Sequence, residues 1–181
     1  MSQEQASMSN ILPPATSVLQ KLDIDPTLLK AIQPPSKRSQ YRAIVNWITQ
    51  YHPSDEATEL EVVKGWLEAF HHLCEVGEWE KAAQLLFTKL HTSINEEFHD
   101  QLDVWGHHTE LNQLYERVVH QLPPQFNAIV LNSMGRLWTT LGEYEKAIAY
   151  HEQSLAIDRE LGQTAGVGAS LGNLGVIYAS I

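Results

Sequence analysis

The sequence predicts an all-α fold, a solenoid of antiparallel helical hairpins, and three observations predict it. The phrase LNSMGRLW at residues 131–138 returns as LGNLGVIY at 171–178, a period of 40 residues. The turn phrase Gly142-Glu143-Tyr144-Glu145-Lys146-Ala147 has an upstream copy in Gly77-Glu78-Trp79-Glu80-Lys81-Ala82, 65 residues earlier. Around these turns apolar residues recur at three- and four-residue intervals, the spacing of one helix face. A helical pair repeated at such a period covers its apolar face by stacking on its neighbours.

Taken in order, residues 1–10 are polar and are expected to be disordered. Residues 1–38 read as a flexible leader, since Pro13, Pro14, Pro26, Pro34 and Pro35 separate scattered apolar residues. Asp25 before Pro26 has the form of a cap with proline at the first helical position, so a short helix over 26–32 is expected there. Pro34-Pro35-Ser36 reads as a linker.

Residues 39–125 read as degenerate helical repeats. Tyr41, Ile44, Val45, Ile48 and Tyr51 share one helix face. A second helix over 55–76 carries Leu60, Val63, Trp66, Leu67, Phe70 and Leu73, and the Gly77 turn makes it the first half of a hairpin over 55–90. A worn third hairpin is expected over 93–122. Phe98, Leu102 and Trp105 form its first stripe, Gly106 its turn, and Leu111, Leu114, Tyr115, Val118 and Val119 its second stripe.

Residues 126–181 hold the clear repeat, complete over 128–162, plus the first helix of the next. Its helices are expected over 128–141 and 144–161, stopped by Gly162. The small residues Gly135 and Ala147 would let the two helix backbones approach, with Tyr144 and Trp138 filling the space beside them.

Composition narrows the function classes. The chain has 22 Asp and Glu against 12 Lys and Arg, a net charge of −10. That opposes nucleic acid as a partner, because affinity for phosphates comes mainly from Lys and Arg. The single cysteine, Cys74, can form no intrachain disulfide and suggests a reducing, cytoplasmic compartment. No apolar run reaches the ~18 residues of a membrane helix, and the first ten residues lack the pattern of a secretory signal.

Met134, Gly135, Trp138, Gly142, Tyr144 and Ala147 together resemble the tetratricopeptide repeat. The 40-residue period and the phrase YEKAIAYHEQSLAIDRELG are similar to the long-repeat class found in Pins-type adaptors, kinesin light chains and cyanobacterial repeat proteins. The resemblance implies a right-handed α-α superhelix whose first helices line a concave groove for a peptide. By that register the groove positions are Asn132, Ser133, Arg136, Thr139, Asn173 and Val176. Asn173 falls where long-repeat adaptors place a peptide-holding Asn, and Ser133 occupies that position one repeat earlier. His71, Glu96, Asp100 and Asp103 would line the upstream part and make it acidic. The Lys and Asn set that clamps a C-terminal carboxylate in some of these proteins is absent.

Catalytic and metal chemistry find no support. The nine histidines include the adjacent pairs His71-His72 and His107-His108. Adjacent helical residues point about 100° apart, so neither pair chelates from one face. The histidines read as solvated or hydrogen-bonded helix-surface residues, and no metal or cofactor is expected. The glycines at 162–175 lack the Lys of a phosphate loop and read as a turn and a tight helix interface. No hydrolytic triad is visible, and nothing marks Cys74 as a nucleophile.

The expected function is therefore a non-enzymatic protein–protein interaction module, a scaffold or adaptor holding a partner segment in the groove. The alternative is the sensor arm of a larger bacterial NTPase or caspase-like protease. Residues 165–181 read as a first helix without its partner. Leu171, Leu174, Val176, Ile177, Tyr178 and Ile181 would then stay open, and a homodimer through this helix is expected.

Overall fold

The computed structural model describes residues 11–181, which divide between Trp105 and Gly106 into two compact, all-helical units. The expectation of disorder over residues 1–10 lies outside the described residues.

In the first unit, residues 11–38 are not a flexible leader. Helix α1 (Ala15–Lys21) buries Val18 and Leu19, and Ile11, Leu22 and Ile24 are buried around it. Removing apolar area from water is what holds such a segment down, and polar ties fix where it lies. Lys21 Nζ donates to the Phe87 carbonyl at 3.1 Å and to the Thr88 hydroxyl at 3.0 Å. Lys81 Nζ donates to the Asp23 carbonyl at 3.1 Å, and the His91 amide donates to the Ile11 carbonyl at 2.7 Å. Asp25 caps a 3₁₀ helix over Pro26–Ala31, its Oδ1 accepting from the Thr27 amide at 2.8 Å. The prolines read as a linker instead start a helix: α2 spans Pro35–Gln50, and Pro is suited to a first helical position because the missing N–H has no partner there.

The single helix expected over 55–76 is two. Thr58 and Glu61 form a capping box, with the Thr58 amide donating to Glu61 Oε2 at 2.8 Å, so α3 (Glu59–Val62) begins only after the cap. Val63 breaks the run, and α4 continues over Lys64–Glu75. Gly77, at φ +73°, turns the chain into α5 (Trp79–Leu86). Beyond α5 the backbone makes an antiparallel bridge between Lys89 and Glu97, then enters α6 (Phe98–Val104).

Helices α2 and α4 meet at Gly65, where a Cβ would stand 2.5 Å from the Trp47 carbonyl oxygen and 3.2 Å from the Tyr51 ring. Tyr51 Oη donates to the Glu61 carbonyl at 2.8 Å beside this contact. Ile44, Phe70, Leu73, Leu85 and Leu86 are fully enclosed. Trp66 packs edge-on against Phe98 with ring centroids 5.3 Å apart.

The second unit comprises α7 (His108–Val118), α8 (Pro124–Thr140), α9 (Tyr144–Glu160) and α10 (Thr164–Ser180). The hairpin expected over 93–122 thus spans both units: Phe98 and Leu102 are buried in the first, while Leu111, Leu114, Tyr115 and Val118 are buried in the second. Helices α8 and α9 form the clear hairpin. Gly142, at φ +75°, closes it, and the Glu143 amide returns to the Trp138 carbonyl at 2.9 Å, capping α8. Helix α10 lies across both, as the first helix of a following repeat does. It buries Ser170, Leu174 and Ile177 and leaves Leu171, Val176, Tyr178 and Ile181 exposed. Leu174 and Ile177, expected to stay open at this end, are covered within the chain.

Because the Gly65 contact is with backbone, a side chain there forces α2 and α4 apart. Gly65→Val is expected to destabilise the first unit by about 1–3 kcal/mol in denaturant unfolding, the usual range for overpacking. An unchanged midpoint would contradict the close approach.

Candidate functional site

The candidate groove lies on the second unit, where α8 and α10 supply the sequence-predicted positions. Asn132 and Asn173 are half-buried and meet directly, Asn173 Nδ2 donating to Asn132 Oδ1 at 3.1 Å. Arg136 and Val176 are exposed. Ser133 is buried, and its hydroxyl donates to the Ile129 carbonyl of its own helix at 3.0 Å. Thr139 is half-buried and likewise donates within α8, to the Gly135 carbonyl at 2.8 Å. His71, Glu96, Asp100 and Asp103 belong to the first unit. Among the described residues no helix is long and apolar enough to cross a membrane.

Behind the two asparagines stands a histidine, although the histidines are expected on helix surfaces. His151, on α9, is fully buried, and its Nδ1 lies 2.9 Å from Asn132 Oδ1. Its ring rests against Gly135: a Cβ at that position would stand 2.6–2.7 Å from the ring atoms Cε1, Nε2 and Nδ1. The expected contact of Gly135 with Ala147 is therefore corrected. The glycine is small to admit an imidazole, not to let two backbones touch.

One turn further along the same seam, Ser154 Oγ donates to the Ala128 carbonyl at 2.9 Å and accepts from Ser170 Oγ at 3.3 Å. Each layer thus takes one group from α8, α9 and α10: Asn132, His151 and Asn173 in the first, Ala128, Ser154 and Ser170 in the second. Asp158 is buried beyond them, where a Cβ on Gly166 would overlap its carboxylate. Burial pushes the Asp158 pKa up, partly offset by its hydrogen bond with Ser154. The apolar packing around this seam comes from Val130, Leu131, Met134, Leu137 and Ala147. Trp138, expected to fill the hairpin, is half-buried with Lys146 Nζ 4.2 Å from its ring centroid, a cation–π contact.

The sequence carried a signal for His151. It follows Ala147 by four residues and precedes Ser154 and Leu155 by three and four, so helical spacing places it on the inward face. The surface reading also fails at His99 in the first unit, which is buried with Nε2 3.0 Å from Glu97 Oε2 and Nδ1 3.6 Å from Asp100 Oδ1. Glu97, His99 and Asp100 bring their ligand-type atoms within 4.8 Å of one another. Each ring nitrogen already faces a carboxylate, and the ring stacks edge-on against Phe87 at 4.8 Å. The cluster therefore ties α6 to the end of α5.

Residues 130–165, which cover α9 and most of α8, match the family model described as the tetratricopeptide repeat. No curated protein and no solved structure matches the chain.

Two outcomes follow from the seam. Gly135→Ala pushes a methyl into the His151 ring and is expected to cost about 1–3 kcal/mol of stability. Adding His151→Ala should recover part of that loss, because the ring is what the methyl strikes. If the two losses simply add in a double-mutant cycle, Gly135 does not face His151.

The second outcome is a pH effect. Burial, with a contribution from Arg136 on α8, lowers the His151 pKa to about 4, and α10 has no charged residue between Thr164 and Ser180. Below the ordinary His value the unfolded chain binds a proton that the folded one refuses, so stability falls as pH drops from about 6.5 toward 4. The shift corresponds to about 3 kcal/mol. Asp158, with its raised pKa, works in the opposite direction at the acid end. Denaturation midpoints across this window should slope in the native chain and flatten in His151→Asn; an equal slope in both would contradict the assignment.

Proposed function

We propose that this chain, whose residues 130–165 form a tetratricopeptide repeat, is a non-enzymatic interaction module that holds an extended segment of a partner protein in the groove between α8 and α10. The observation that supports this reading most is the asparagine pair. Two primary amides from successive first helices lie side by side at the surface. An amide both donates and accepts, so such a pair can hold a peptide backbone without selecting its side chains. Exposed Arg136 and Val176 flank it and would give the side-chain preference.

A random library of blocked linear peptides, with no terminal charges, tests the reading. A peptide selected on the native chain should bind roughly tenfold more weakly to the Asn132→Ala/Asn173→Ala double variant, each hydrogen bond being worth about 0.5–1.5 kcal/mol. Circular dichroism should show the helices intact. A library without binders, or a peptide indifferent to both changes, would contradict the groove.

The reading extends to self-association. Leu171, Tyr178 and Ile181 are 46–72% exposed along one side of α10 and its end, and contiguous apolar surface commonly marks a contact. A homodimer through this helix is expected in sedimentation and should be lost with Leu171→Glu/Tyr178→Glu. A monomer at every concentration would remove this part of the proposal.

A further inference from the structure

The hydrogen bonds behind the groove have a direction. Asn132 Oδ1 accepts from Asn173 Nδ2 at 3.1 Å, and the same oxygen lies 2.9 Å from His151 Nδ1. Two acceptors cannot pair, so the ring nitrogen facing that oxygen carries the proton, and the lone pair sits on Nε2. Nε2 is buried, and among the described residues it has no hydrogen-bond partner. The chain His151 Nδ1–H, Asn132 Oδ1, Asn173 Nδ2 therefore uses the oxygen of one amide and the nitrogen of the other. It leaves Asn132 Nδ2 and Asn173 Oδ1 for whatever enters the groove. Reversing the ring tautomer would require both amides to turn, and would present the opposite pair.

We infer that His151 is a positioning residue for the groove: it donates to Asn132 and so turns both asparagines to present a fixed donor, Asn132 Nδ2, beside a fixed acceptor, Asn173 Oδ1, to the C=O and N–H of an extended peptide backbone. The inference rests on the groove reading above. The device needs Gly135, whose missing side chain gives the imidazole its place. It also makes a buried residue that no ligand touches a determinant of binding. A free asparagine amide in water samples both orientations; one held by a buried ring does not, and a ligand then meets a site already ordered.

The tautomer is measured on the free, 15N-labelled full chain by long-range proton–nitrogen correlation, with the His151 signals identified by their loss in His151→Asn. The inference expects the proton on Nδ1; a proton on Nε2 would overturn it. Binding is then read with the library-selected blocked peptide. His151→Leu, which fills the space but donates nothing, should weaken the peptide by about tenfold. His151→Asn, which keeps a donor near the Nδ1 position, should bind within about threefold of the native chain. In an Asn132→Ala background the Leu change should have no further effect. Equal, additive losses from Leu and Asn would show a packing role and overturn the inference. An Nδ1 proton in a chain that binds no peptide would sink the groove reading and leave the amide orientation standing.

Discussion

The second unit depends on an imidazole laid against a glycine. His151 is fully buried at the meeting of α8, α9 and α10, and the ring lies where the Gly135 side chain would otherwise be. The size of the ring sets the separation of α8 and α9 at this level. Its hydrogen bond to Asn132, which is also bonded to Asn173, carries that constraint to α10. Burying a polar ring without partners costs free energy, and one satisfied nitrogen offsets only part of that cost. Apolar residues on either side supply the compensating burial, with Met134, Leu137 and Ala147 almost completely enclosed.

A polar seam does something that apolar contact does not. Leu and Met side chains tolerate small shifts, whereas a hydrogen bond is lost within about an ångström. The two layers, Asn132–His151–Asn173 and Ala128–Ser154–Ser170, are set by bonds of 2.9–3.3 Å. Sliding α10 by one residue would unpair both and leave buried polar groups unmade. The seam thus fixes the register in which α10 joins the preceding hairpin, and with it the position of the groove amides. In the first unit the corresponding precision comes from different contacts: the Gly65 approach to the Trp47 carbonyl, the Lys21 and Lys81 ties to backbone carbonyls, and the carboxylates around His99.

Much of the fold was legible in the sequence. The clear hairpin, its Gly142 turn, the upstream Gly77 turn and the final helix all follow from small-residue placement and helical spacing, which are local signals. The misreadings share a physical cause. Residues 11–38 scatter their apolar residues between prolines, and nothing local says that Ile11, Val18 and Leu22 are buried by distant contacts. Pro34 and Pro35 end one element and equally well begin another. The short helix that ends at Val63 starts from a capping box, Thr58 with Glu61, set inside an apolar stripe that reads as continuous. Gly135 and the repeat's small positions were visible, but which side chain fills the space they leave was not. A histidine between Tyr150 and Glu152 reads as polar surface until its face is traced through Ala147 and Leu155.

The contact between Gly135 and His151 is open to direct measurement. In a nuclear Overhauser spectrum of the native chain at neutral pH, the His151 ring Hε1 proton should give strong cross-peaks to the Gly135 α-protons, and those α-protons should be displaced from ordinary helical glycine shifts by the ring current. Cross-peaks from His151 to solvent-exposed neighbours alone, with Gly135 at ordinary shifts, would place the ring elsewhere and remove the constraint on which the arrangement of the three helices depends.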